Sequence, residues 1–306
     1  MRLLCATDLL PKSEAAIDRT GIIAEQLTAA PSLLHVVTPP ESGRRLEEDL
    51  ERASEQLESR ARPPLWLDGP APNVVVRAGS PSRILIQTAQ EIAAHLIVLG
   101  PHRRRAARDA LAGTIAERVL GEHRCPVLIV KRRPKNSYRN VLLALDRSGS
   151  STSALRAAEV LFLRDSAVRA TVVHALEPPY EQMFTSAGIG PNAITLYAEA
   201  WKREASLVLR GLLKRASNDF SRYDLILEEA RPAAAVQKVA ARINPDLLVL
   251  GTRGESSIRG KVLGSAANRI LASASTDVLI VPDSSDGSAA LRRRRDRLSL
   301  DVMAGA

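Results

Sequence analysis

The chain has 306 residues, enough as a prior for about two domains of ordinary size. Apolar residues make up 45% and charged residues 25%, which excludes a disordered chain, while aromatics at only 3% argue against a base-stacking nucleic-acid platform. The formal charge of +9 gathers at Arg103–Arg105 with Arg108, at Lys131–Arg133 and at Arg292–Arg295. No basic stripe is paired with a DNA-reading motif, so these charges read as solvated surface and nucleic acid is not an expected partner.

In chain order, the spacing predicts strands near 2–7, 32–37, 73–77, 96–100 and 126–130. Helices are predicted near 12–29, 43–61, 81–93 and 113–122, the second with Leu46, Leu50, Ala53 and Leu57 on one face. Leu96–Leu99 and Val127–Val130 are unbroken apolar runs, as expected of parallel strands covered on both sides. The pattern then starts again. Met1–Asp8 matches Arg139–Asp146, and Leu33–Val36 matches Val172–Ala175 with His35 aligned to His174. Leu96–Val130 matches Leu247–Val281 without a gap. The second copy carries an insertion, expected as a loop around Thr185–Asn192, where Ala187-Gly188-Ile189-Gly190-Pro191 has loop composition.

Strands alternating with helices predict an α/β protein of two tandem doubly wound sandwiches. The expected domains are 1–134 and 138–283, with a short joint at Lys131–Ser137 and an Arg-rich tail, 284–306, expected to be mostly disordered. Cys5 and Cys125 lie in apolar strands and read as small core residues, implying neither a disulfide nor a zinc site. His35 and His174 read as packed strand residues rather than catalysts. Met1 leads straight into a strand, and no apolar run reaches membrane-spanning length, so the expected location is the cytoplasm without a membrane partner.

The chemistry concentrates in the second copy. An apolar strand, Leu247–Leu250, runs into a loop in which two residues separate Gly251 from Gly254; nine residues then precede Gly264-Ser265. Strand, glycine loop and helix start in that order make a phosphate cradle, because glycine lets the backbone approach an anion and a helix N-terminus turns unpaired N–H groups towards it. Arg253 and Lys261 can neutralise charge there. Asp146 ends the first strand of this copy, where open α/β sheets bind ligands; it equally suits capping of the helix that begins near Ser148–Ser151. In the first copy Asp8, Gly100, Gly113 and Thr114 persist, but Arg103 replaces the glycine matching Gly254, and Pro101 removes an N–H donor. Two readings stay open for that copy: an anion site built on guanidinium groups, or a packing partner without a ligand.

The strand ending in Asp146, the Ser-rich helix start, the Gly-x2-Gly-x9-Gly-Ser spacing and the closing strand Val278–Val281 resemble the universal stress protein family in tandem form, over residues 1–282. The resemblance implies five-stranded parallel sheets of the adenine-nucleotide alpha-hydrolase-like kind. It implies ATP, ADP or AMP, with or without Mg2+, at the carboxyl ends of the strands. Carried over residue by residue, Asp146 would receive the ribose hydroxyls, and the backbone at Ala144 and Ala175 would border the adenine. Leu250 and Gly251 would lie beside ribose and phosphates. Gly254, Gly264, Ser265 and the N–H of Ala266 would hold the polyphosphate, with Arg253 beside it. The resemblance further implies pairing through the last strand of each unit, hence an intramolecular pseudo-dimer and a route to a homodimer. Two functions stay open: a stress-response protein regulated by nucleotide in its second domain, with the first mainly structural, or a nucleotide-free scaffold that binds a partner. No catalytic residue or metal ligand stands out. With no Gly-Lys-Ser/Thr phosphate motif and no evident general base near the loop, any ATP hydrolysis is expected to be slow.

Overall fold

The computed structural model describes residues 1–39, 46–61, 70–101, 115–122, 125–176, 191–217, 219–252 and 263–283. By spatial contact these form two compact units: Met1–Tyr138 with Ala274–Pro282, and Arg139–Ser273 with Asp283.

The first unit alternates β1 (Arg2–Thr7), α1 (Glu14–Leu27), β2 (Ala30–Val37), α2 (Leu46–Arg60), β3 (Asn73–Ala78), α3 (Pro81–Glu91), β4 (Leu96–Leu99), α4 (Ile115–Glu122) and β5 (Val127–Ile129). The strands are parallel in the order β3-β2-β1-β4-β5. Successive strands move one way from β1 and then the other, so right-handed crossovers put α1 and α2 on one face and α3 and α4 on the opposite one. That double cover explains why β4 is buried at every residue. Cys5 and Cys125 are both buried, and burial pushes the Cys5 thiol up to about 12, which removes it from nucleophilic chemistry near neutrality.

The second unit repeats the plan with β6 (Asn140–Ala144), α5 (Gly149–Leu161), β7 (Arg169–Leu176), α6 (Pro191–Ala216), β8 (Tyr223–Glu229), α7 (Pro232–Ile243), β9 (Leu247–Gly251) and α8 (Ser265–Ser273). Its parallel strands run β9-β6-β7-β8. The remaining strand, β10 (Asp277–Val281), closes the second sequence copy but belongs to the first compact unit. There it pairs antiparallel with β5, Leu279 opposite Leu128.

Of the loop expected at Thr185–Asn192, residues 185–190 lie outside the described residues, and its last two are helical. Pro191 and Asn192 open α6, which has 26 residues against 15 in its counterpart α2. Proline is well placed at a helix start, where its missing N–H has no intrahelical acceptor to lose. The glycines before it, and the tail 284–306, lie outside the described residues.

Asp277 organises the joint after β5. It is 1% exposed, and its Oδ1 accepts the backbone N–H groups of Lys131 at 2.8 Å and Arg132 at 3.2 Å. Its Oδ2 accepts the Tyr138 hydroxyl at 2.6 Å and faces the Arg19 Nε at 3.4 Å. That Arg19 contact is a Coulomb attraction rather than an aligned hydrogen bond, since the same Nε lacks a hydrogen-bond acceptor. The Arg19 guanidinium also sits 3.9 Å above the Tyr138 ring and donates to the Asn136 carbonyl at 2.8 Å.

Candidate functional site

The carboxyl ends of β6, β7 and β9 meet at one edge of the second unit. β6 lies between the other two, with Ala144 in register with Val173 on one side and Leu250 on the other. The chain leaves β6 towards β7 and later returns to the far side of β6 as β9. The strand order therefore reverses between β6 and β9, which is where crevices for ligands open in doubly wound sheets. Ala144, Asp146, Ala175 and Gly251 are half-buried at this edge, and Leu250 is buried.

Asp146 follows β6 and is tied to the start of α5. Its Oδ1 accepts the N–H of Ser148 at 2.9 Å, the Ser148 hydroxyl, and the Ser151 hydroxyl at 2.7 Å. The Ser151 Oγ in turn receives the Asp146 N–H at 2.8 Å, and Ser148 caps the helix by accepting from the Ser151 N–H at 3.3 Å. The carboxylate thus does hold the helix start, acting through two serines rather than as the cap itself. Removing the Ser151 hydroxyl breaks two of these bonds in a buried place. Ser151→Ala is expected to lower stability by about 1–2 kcal/mol, read as a shift in the urea midpoint.

His174 fixes the same corner from behind. It is buried, with Nδ1 2.8 Å from the carbonyl oxygen of Leu145, the residue before Asp146. A carbonyl can only accept, so Nδ1 carries the proton and the ring is a fixed donor. His35 makes the matching contact to the Thr7 carbonyl at 2.8 Å in the first copy. Both histidines therefore brace the end of a first strand, in line with their reading as packed residues.

Gly251 is required by a close approach. A Cβ built on it would stand 2.9 Å from the carbonyl carbon and oxygen of Ser150, which is 1% exposed at the start of α5. Its counterpart Gly100 meets Ser13 in the same manner but more loosely, with the nearest atoms at 3.2 Å. Gly251 is absent from the positive-φ glycines, which among the described residues comprise Gly79 alone. The glycine thus admits the incoming helix, a reason separate from any anion.

Two helix N-termini reach this edge. That of α5 is occupied by the Asp146–Ser148–Ser151 bonds, and the Asp283 carboxylate lies against it: a Cβ on Gly149 would be 3.3 Å from its Oδ1. That of α8 is brought alongside β9 by the Gly264 N–H, which donates to the Thr252 carbonyl at 2.8 Å. Gly264 itself is engaged by this bond. The next N–H groups, of Ser265 and Ala266, belong to the first helical turn, where the α-helix supplies no acceptor. Of the residues proposed from sequence, Ala144, Asp146, Ala175, Leu250, Gly251, Gly264, Ser265 and Ala266 lie on these strand ends and this helix start. Arg253 and Gly254 lie outside the described residues, as do Arg103–Arg105, Gly113 and Thr114 of the first copy. Sequence reasoning did not single out Ser150 or Thr252, both buried; the serine run after Asp146 was the signal for the first.

The first unit has a cleft of about 370 Å³ whose lining includes Lys12, Lys131, Arg133 and Glu14. Two of its cations already serve the protein. Lys131 Nζ donates to the Ala274 carbonyl at 2.6 Å, and Arg133 pairs with Asp18 at 3.0 Å. Among the described residues no group of three or more His, Cys, Asp and Glu could hold a metal ion, and no helix is long and apolar enough to cross a membrane.

The model of the universal stress protein family matches the chain twice, over residues 1–131 and 137–282. The chain belongs to the universal stress protein family. It carries the family's unit in tandem, and the two matches cover nearly the whole described fold. A universal stress protein of Thermus aquaticus is 31% identical over 147 residues, 47% of this chain and 98% of that protein. Among solved structures, a universal stress protein from Archaeoglobus fulgidus is similar with a TM-score of 0.64 at 18% identity, covering 92% of this chain and 98% of the other. A protein described as a putative universal stress protein from Pseudomonas aeruginosa gives 0.62 at 17%, covering 92% and 93%. At such identities these two structures bear on the fold: a tandem universal stress architecture.

Proposed function

We propose that the second repeat of this universal stress protein binds an adenine nucleotide, ATP, ADP or AMP, with or without Mg2+, as a regulatory ligand in the cytoplasm. The observation that carries the reading is the convergence at the β6/β9 switch point of Asp146, Gly251 and the α8 N-terminus. The backbone at Ala144 and Ala175 borders the adenine, and Leu250 and Gly251 lie beside ribose and phosphates. Asp146 receives the ribose through its carboxylate, with the Ser148 and Ser151 hydroxyls holding that carboxylate in place. Arg253, Gly254, Gly264, Ser265 and Ala266 hold the polyphosphate. Gly264 contributes by closing the base of the loop on Thr252, while Ser265 and Ala266 offer N–H groups. Mg2+, if bound with the nucleotide, would supply positive charge to the phosphates. Hydrolysis is slow or absent, because the sequence supplies no evident general base near the loop and no Gly-Lys-Ser/Thr phosphate motif.

The first repeat is mainly the structural mate of the second. Arg103 in place of its central glycine argues for this, as does the use of Lys131 and Arg133 within the fold. The β5–β10 pairing supports reading the tandem as an intramolecular pseudo-dimer, with a homodimer as a further step. The alternative is a nucleotide-free scaffold for a partner, favoured by the bonds that already occupy Asp146 Oδ1 and Gly264 N–H.

Thermal denaturation with and without millimolar ATP–Mg separates the two. A ligand at 100 times its Kd stabilises the native chain by about 2.7 kcal/mol, so the melting temperature of the wild type rises by several degrees. Gly254→Arg, which copies the first repeat, is expected to abolish the shift. An unshifted wild type supports the scaffold instead.

A further inference from the structure

The long helix α6 carries an apolar stripe on the side away from its own core. Ala205, Leu209, Leu212, Leu213 and Ala216 are buried and define the inner face, all in the second half of the helix. Leu196 and Leu207 are 65% and 72% exposed, the most exposed of the large apolar side chains among the described residues. At 3.6 residues per turn Leu196, Ala200, Arg203 and Leu207 fall on one line, roughly opposite that inner face. The counterpart helix α2 ends after 15 residues, so the stripe belongs to the part of the fold the insertion enlarged.

We propose that this stripe is an interface for a second copy of the chain, with two α6 helices packed antiparallel about a two-fold axis near residues 201–202. The pattern is self-complementary in that arrangement. Leu196 of each copy meets Leu207 of the other, and Ala200 of each meets Arg203 of the other, its single methyl group leaving room for the long side chain. A two-fold axis keeps each flank of one helix beside the same flank of its mate. Glu199 and Arg203 share a flank, so Glu199 of one copy comes beside Arg203 of the other, twice over. Within one helix their side chains face each other at 3.8 Å and are largely exposed, with Arg203 Nε donating to the Glu199 carbonyl at 3.3 Å, so an exposed pair exchanges for one across the axis. The parallel alternative separates Leu196 from Leu207 by the length of the stripe and aligns Glu199 with Glu199. The surface is independent of the nucleotide reading, and it gives the homodimer a face distinct from strand pairing. With two leucines from each copy the interface is small, and association is expected to depend on concentration.

Light scattering coupled to size exclusion, on the full chain over a hundredfold concentration range, tests this. The wild type is expected to move from the mass of one chain towards that of two. Leu196→Glu with Leu207→Glu is expected to remain at one chain throughout, with an unchanged melting temperature at dilution because both positions are exposed. Glu199→Arg is expected to weaken association at least tenfold, and Glu199→Arg with Arg203→Glu to restore most of it, a rescue that general damage to the helix cannot mimic. A wild type of single-chain mass at every concentration overturns the proposal. So does a two-chain species that survives both leucine substitutions, which assigns the dimer to another surface.

Discussion

Gly251→Ala is expected to destabilise the second unit by about 3 kcal/mol, towards the upper end of what overpacking a well-filled site costs. The added methyl group would stand 2.9 Å from both the carbonyl carbon and oxygen of Ser150, closer than packed carbon atoms approach. Those are backbone atoms of α5, so no side-chain rotation relieves the clash; the helix start must move. α5 carries the serines that hold Asp146, and the strain therefore reaches the candidate site directly. Gly100→Ala in the first unit is the internal comparison. Its nearest atoms, Cα and Oγ of Ser13, lie at 3.2 Å, a contact that a shift of a few tenths of an ångström relieves. The expected cost is about 1 kcal/mol. Urea denaturation of the two variants, followed through midpoints and slopes, checks the ranking; equal midpoints would show that the two contacts do not differ in strength.

The second large effect is expected at Asp277. Replacing it with alanine leaves the Lys131 and Arg132 N–H groups, the Tyr138 hydroxyl and the Arg19 guanidinium without their shared acceptor. Arg19 and Tyr138 are buried like Asp277, at 5% and 3% exposure, so water does not readily replace what is lost. Removing one partner from a buried charge pair costs about 3–5 kcal/mol, and here the lost carboxylate also accepted three hydrogen bonds. Asp277→Asn is expected to cost less, because its carbonyl oxygen can still accept from the two backbone N–H groups while its amide faces Arg19 and Tyr138 poorly. The effect of Asp277→Ala is expected to change little between low and high salt, since buried pairs are weakly screened. A loss below about 1 kcal/mol, the range of exposed ion pairs, would mean that the cluster does not hold the joint.

These two positions mark where the sequence was and was not legible. The strands declared themselves through apolar runs such as Leu96–Leu99, because a parallel strand covered on both faces has no polar side to confuse the pattern. The repeat supplied the topology, and Asp146, Gly251 and Gly264 were visible through spacing. Local pattern was silent on long-range fit. Nothing near Gly251 signals that Ser150, a hundred positions earlier, will close upon it. Asp277 is matched by Pro126 in the first copy, so comparison of the repeats gave no hint of a hub. The insertion shows through its effect on the alignment, but the length of the helix after it does not show in the local pattern. Glycines 188 and 190 precede a helix whose first half buries little, and so shows a weak inner-face periodicity.

The central claim is one nucleotide site per chain, in the second repeat. Calorimetric titration of the nucleotide-free wild type with ATP, in the presence of Mg2+, reads it most directly. The account predicts saturation at one ATP per chain, lost in Gly254→Arg and retained in Gly100→Ala. Saturation at two per chain, or a single site that survives Gly254→Arg, would contradict it.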